Sequence, residues 1–99
     1  MSIQMIKGTE VSNKIGKGTQ LVNIFGTWCG PCTMLSPILE DISSEMEVFK
    51  IDVDTNKEFA QEMNVQGVPT TFIYKDGVLK DTLVGFMPKD ALLEKVGKA

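Results

Sequence analysis

The apolar residues of this chain follow two rhythms, and each change of rhythm marks an element. "LVNIF", Leu21 to Phe25, is a nearly continuous apolar run, the pattern of a strand buried on both faces of a parallel sheet. Beyond Pro31 the period lengthens. Met34, Leu35, Ile38, Leu39, Ile42 and Met46 draw one stripe down an amphipathic helix, with Glu40, Asp41, Glu45 and Glu47 turned mostly to solvent. Pro37 falls inside that helix and is expected to kink it, because proline has no backbone N–H. "VFKIDV", Val48 to Val53, returns to alternation, with Phe49, Ile51 and Val53 on one face. A short helix over Asn56–Met63 is predicted to turn Phe59, Ala60 and Met63 inward.

"TTFIY" and "LKDTLV" flank Lys75, Asp76 and Gly77, and an Asp-Gly step between strand-like runs predicts a β-hairpin. The last helix is expected to begin near Pro88 and end by Gly97, with Leu92 and Val96 inward. The first twenty residues carry weaker signals, a short strand in "IQMI" and a short helix with Val11 and Ile15. Strands alternating with helices imply an α/β fold. The expected architecture is a central mixed sheet, mostly parallel with a C-terminal antiparallel hairpin, flanked by about four helices. No repeat, low-complexity tract or linker interrupts the pattern, so residues 1–99 are read as one domain.

Composition narrows the function classes. A chain of 99 residues can bury one core without staples. Its hydrophobic fraction of 42% and charged fraction of 23% are those of a soluble globular protein, and no apolar run approaches the roughly 20 residues of a membrane span. "MSIQMIKGTE" shows neither a basic leader with an apolar stretch nor a small-residue cleavage site, so a cytoplasmic location is expected and no membrane partner. The net charge is −3, and all 10 basic residues are lysines. Without arginine there is no bidentate phosphate clamp and no basic stripe, so nucleic acid is not an expected partner. The absence of histidine removes the usual general base and the commonest metal ligand. Any chemistry here must run without imidazole.

Both cysteines lie in "FGTWCGPCTM", Phe25 to Met34, at the carboxyl end of a strand, where sites form in sheets of this kind. Cys29 and Cys32 could bind a metal, staple the fold or do chemistry. A structural zinc site needs four ligands, and the chain offers two thiols and no histidine. A staple closing so short a loop is worth only about 2 kcal/mol, and cytosolic surroundings keep it reduced much of the time. The chemical reading explains more. At the start of a helix Cys29 meets unpaired amides and the positive end of the macrodipole, which favour a thiolate, and Cys32 can donate a hydrogen bond to it. Cys29, presented to solvent, then attacks a substrate disulfide, and Cys32, one turn deeper, resolves the mixed disulfide. Pro31 stiffens the pair and omits an amide that the helix does not use there.

"WCGPC" at the end of a buried strand, within this order of elements, resembles thioredoxin. The resemblance extends over about 80 residues, from roughly Thr19 onward: "LVNIFGTWCGPCTMLSPILEDI", including Pro37, then "KIDVDTN", "VQGVPTTFIYKDG" and "LVG". It implies a protein disulfide reductase, a thiol-disulfide oxidoreductase with Cys29 and Cys32 as the redox-active disulfide. Trp28, Gly30 and Pro31 would form a flat apolar surface around Cys29. Val68 would lend backbone groups to an extended substrate segment. Pro69, after a cis peptide bond, would face the thiols and help keep metal ions off them, and Gly85 would face the cysteines. Phe86 and Met87 are read as loop residues packing on the core.

The chain departs from the family pattern at Asn23, where a buried aspartate is common and is thought to take the proton of the resolving cysteine. Lys50 matches the lysine that assists it. An amide accepts no proton at neutral pH, so Asn23 and Lys50 are expected to tune the thiols differently from an aspartate–lysine pair. Phe25 replaces a frequent tryptophan and should fill the same space, and Thr33 replaces a common lysine. The resemblance further implies no bound cofactor, electrons arriving from NADPH through a flavoprotein thioredoxin reductase, oxidised substrate proteins as partners, a role in electron transport, and a monomer. The Gly-Pro dipeptide favours a reducing couple near about −270 mV, a value characteristic of thioredoxins, over about −120 mV. Two alternatives stand beside this one: a specialised relative with a dedicated partner or an isomerase or oxidase role, and a redox-independent binding module.

Overall fold

Why the two apolar rhythms become two kinds of element is visible in a computed structural model, which describes residues 3–99; Met1 and Ser2 lie outside the described residues. The strands are β1 (Ile3–Met5), β2 (Thr19–Phe25), β3 (Glu47–Asp52), β4 (Thr70–Lys75) and β5 (Val78–Val84). The helices are α1 (Val11–Lys14), α2 (Gly30–Ile42), α3 (Lys57–Glu62) and α4 (Lys89–Lys98). They assemble one sheet of order β1-β3-β2-β4-β5. β1, β3 and β2 run parallel, and β4 pairs antiparallel with both β2 and β5. The mixed sheet with four helices agrees with the fold class read from the sequence.

Each face of the sheet carries its own core. Leu21, Val48, Ile73 and Leu83 meet Leu35, Leu39 and Ile42 of α2 and Leu92 and Val96 of α4. On the other face Val22, Ile24, Phe49, Ile51, Phe72 and Tyr74 meet Val11 of α1, with Phe59 and Met63 packed against them. Burying each such side chain contributes about 1.5–3 kcal/mol, so the strands that are apolar on both faces hold both layers. β2 is buried from Gln20 to Phe25 and hydrogen-bonded on both edges, which makes it the centre of the molecule.

The hairpin turns at Asp76 and Gly77, with φ of +51° and +82°, the left-handed pair that a two-residue turn between twisted strands requires. The Asp76 carboxylate accepts from the Gly18 amide at 2.9 Å, tying the turn to the entry of β2. α2 runs through Pro37, which faces solvent. Three details differ from the sequence reading. Met34 is 60% exposed and not part of the inward stripe. Val53 leaves β3 to open a 3₁₀ turn, Val53–Thr55, though it still packs with the Phe49 and Ile51 cluster. α4 continues past Gly97 to Lys98.

Candidate functional site

β2 ends at Phe25 and the chain turns through Gly26, Thr27 and Trp28 to Cys29, whose amide donates to the Gly26 carbonyl at 3.2 Å. Cys29 is the N-cap of α2. Its Sγ accepts the backbone N–H of Cys32 at 3.2 Å, the interaction an oxygen makes at an ordinary cap, here made by sulfur. Pro31 stands in the first turn, where its missing N–H costs nothing. The two cysteines are joined as a disulfide, with Cα atoms 5.3 Å apart, inside the range that the bond needs. Phe25 packs against both sulfur-bearing residues, with Val68 beside them.

The expectation that Cys29 faces solvent with Cys32 a turn deeper is corrected. Cys29 is 5% exposed and Cys32 6%, so in the oxidised state both are sheltered almost equally. What shelters Cys29 is the Val68–Pro69 segment. Its Sγ lies 3.7 Å from the Val68 carbonyl oxygen, the Val68–Pro69 bond is cis, and Pro69 is buried. Gly85, at φ +93°, donates its amide to the Pro69 carbonyl at 2.8 Å, so the end of β5 is bonded to this segment. Around the disulfide Gly30 and Pro31 are exposed, and Trp28 is 67% exposed. Phe86, read as packing on the core, is 40% exposed, whereas Met87 does pack on the core.

Below the site Asn23 and Lys50 are paired neighbours on β2 and β3. Asn23 is buried and donates from Nδ2 to Thr71 Oγ1 at 3.1 Å. Lys50 Nζ donates to Ser36 Oγ at 3.3 Å and sits 4.6 Å from the centroid of the Phe25 ring. Its burial holds the ammonium pKa below the ordinary 10.5, and Glu40 partly offsets this. Among the described residues Lys50 appears in no salt bridge. The cation is therefore held by a hydroxyl and an aromatic face, without a carboxylate partner.

Three site residues were not singled out in the sequence reading. Asp54 Oδ2 accepts the Trp28 indole N–H at 2.7 Å; Thr71 and Ser36 hold Asn23 and Lys50. These pairs are separated by 26, 48 and 14 residues, so no local periodicity signals them. Among the described residues no three His, Cys, Asp or Glu side chains gather to hold a metal ion, and no helix is long and apolar enough to cross a membrane.

An oxidisable pair at the head of a helix, with Val68 beside it, can accept or give two electrons by exchange with another disulfide. Comparison with known proteins agrees. The sequence model of the family described as Thioredoxin matches residues 3–98. A curated thioredoxin from Staphylococcus aureus is 38% identical over 102 residues, covering 99% of this chain and 98% of its own length. A mutant thioredoxin from Halobacterium salinarum superposes with a TM-score of 0.91 at 33% identity, covering 98% of this chain and 89% of that one. A Malassezia sympodialis thioredoxin superposes at 0.83 with 30% identity, covering 98% and 90%. Matched over nearly its whole length by sequence and by shape, the chain belongs to the thioredoxin family, whose members are thiol-disulfide oxidoreductases.

Proposed function

We propose that this chain is a protein disulfide reductase, fed by a flavoprotein thioredoxin reductase that draws on NADPH, and that it works as a cytoplasmic monomer in electron transport with no cofactor of its own. Dithiol–disulfide exchange follows from the family and the paired cysteines. The observation that carries the assignment of roles is the Cys29 Sγ cap, which receives the Cys32 N–H at the positive end of α2. In the reduced chain that position favours the thiolate on Cys29.

The Cys29 thiolate attacks one sulfur of a substrate disulfide; a Cys29–substrate bond forms as the substrate bond breaks, and the second substrate sulfur leaves as a thiolate. Cys32 then attacks Cys29 Sγ, closing the intramolecular disulfide and expelling the first substrate sulfur. The substrate gains two electrons and two protons, and the chain ends oxidised. Trp28, Gly30 and Pro31 would receive the substrate chain, Val68 would pair with its backbone, and Pro69 and Gly85 would border it. Asn23 and Lys50 would tune the thiols from beneath.

Insulin disulfide reduction with dithiothreitol, then with candidate reductases and NADPH, tests the activity. Cys32→Ser is expected to accumulate a mixed disulfide with insulin that dithiothreitol releases, and Cys29→Ser to form none. Equal trapping by both variants would remove the assigned order of attack. A reduction potential above about −200 mV against glutathione would instead place the chain with isomerase-like couples.

A further inference from the structure

We propose that the cleft between α1 and α3 is a second binding site, which takes a small aromatic ammonium ion carrying a hydrogen-bond acceptor and holds it through the Tyr74 hydroxyl. The inference goes beyond disulfide exchange and uses no residue of the redox site.

The cleft lies on the face of the sheet opposite α2 and α4. Tyr74 stands beside Gln20 at the amino end of β2, whereas the disulfide follows the carboxyl end. The volume is about 600 Å³, within the roughly 300–1,000 Å³ of small-molecule sites. Val11 and Ile15 form one wall, Phe59 and Met63 the other, and Tyr74 of β4 lies between them. The walls are fixed to one another. A Cβ on Gly8 would collide with Cβ and Cγ of Phe59, so glycine there lets the side chain close directly on the backbone entering α1. The Gly8 amide also donates to Oδ1 of Asn56, the residue preceding α3, at 2.8 Å. A ligand therefore finds the cleft formed, with little ordering left to oppose binding.

Tyr74 supplies the polar contact. It is 9% exposed, and the structure gives its Oη no hydrogen-bond partner in the protein. Among the described residues no fully buried side-chain nitrogen or oxygen is left unpaired, so this Oη has to reach the open space of the cleft. Burial alone raises its pKa above 10.0, so at neutral pH it is a donor awaiting an acceptor. A phenyl ring and a thioether on one wall favour an aromatic body for the ligand. Glu62, exposed at the rim, is the one charged residue among those lining the cleft, and its carboxylate selects a cation over an anion.

The probe is O-methyltyramine, an aromatic ring with an ether oxygen at one end and an ammonium at the other. Added to the nitrogen-labelled oxidised protein, it is expected to shift the amide resonances of Val11, Ile15, Met63 and Gly77 with a Kd of about 1–10 mM, usual for so small a ligand. Tyr74→Phe should weaken binding about threefold to tenfold, the size of one hydrogen bond. Phenethylamine, which lacks the ether oxygen, should lose the same factor and tests that bond without altering the protein. Glu62→Gln should weaken the probe about twofold and abolish its preference over para-methoxyphenylacetate, as suits an exposed charge. No shifts at about 20 mM probe, well above that Kd, would overturn the proposal, as would shifts gathered around Trp28 and Val68. So would equal binding of the two amines, or a preference for the anion. Each of these results leaves the reductase reading untouched, since insulin reduction is measured on the dithiol alone.

Discussion

Asn23 puts an amide, and no carboxylate, in the buried middle of β2. Its Nδ2 is satisfied by Thr71, and its strand neighbour Lys50 leans on Ser36 and the ring of Phe25, which in turn touches both cysteines. The polar layer beneath the disulfide thus carries a cation and no anion of its own, an arrangement that favours a thiolate above it. Asn23→Asp adds a buried negative charge and a proton acceptor. The thiolate absorbance should then appear at higher pH, while resolution quickens by up to about 100-fold because a general base is restored. Titration of that absorbance and insulin turnover check the two effects. If neither moves, Asn23 only satisfies Thr71. The substitution of Asn for Asp was legible in the sequence, but its partners were not, since Thr71 lies 48 residues away.

At the scale of the element, α2 shows both the reach and the error of reading by period. Leu35, Leu39 and Ile42 face the sheet as expected, and Cys32 joins them. A stripe drawn without the cysteine is centred too far round. At about 100° per residue Met34 lies more than a quarter-turn from Leu35, on the side away from Cys32, and so faces outward. Leu39→Ala is therefore expected to cost about 2–5 kcal/mol through a cavity. Met34→Ala should stay within about 0.5 kcal/mol. Urea unfolding of the two variants measures the difference, and similar costs would show that the helix sits differently on the sheet. The hairpin was legible because Asp-Gly carries its turn chemistry locally. The spatial order β1-β3-β2-β4-β5 was not, because strand neighbours are chosen by the packing of whole layers and leave no mark on a single strand.

For the molecule as a whole, pH dependence follows from what is missing and what is buried. With no histidine and both thiols in the disulfide, no side chain of the oxidised chain has an ordinary pKa between about 5 and 8, and stability should be nearly flat there. The alkaline side differs. Burial raises the Tyr74 phenol above its ordinary 10.0, so the folded chain keeps a proton that the unfolded chain loses, and stability falls as pH climbs past 10.0. Lys50 has the opposite sign. Its depressed pKa means that the cost of burying the ammonium is full at neutral pH and is relieved as pH rises toward 10.5. Tyr74→Phe should flatten the alkaline decline in melting temperature; an unchanged slope would assign that decline to other groups. A last consequence comes from β2, the strand on which the disulfide loop hangs, clasped along both edges by its neighbours. A mounting so stiff gives two electrons little to reshape. Visitors should then encounter nearly the same contour whether the carrier is loaded or spent, which leaves the reactivity of sulfur itself to tell the two apart.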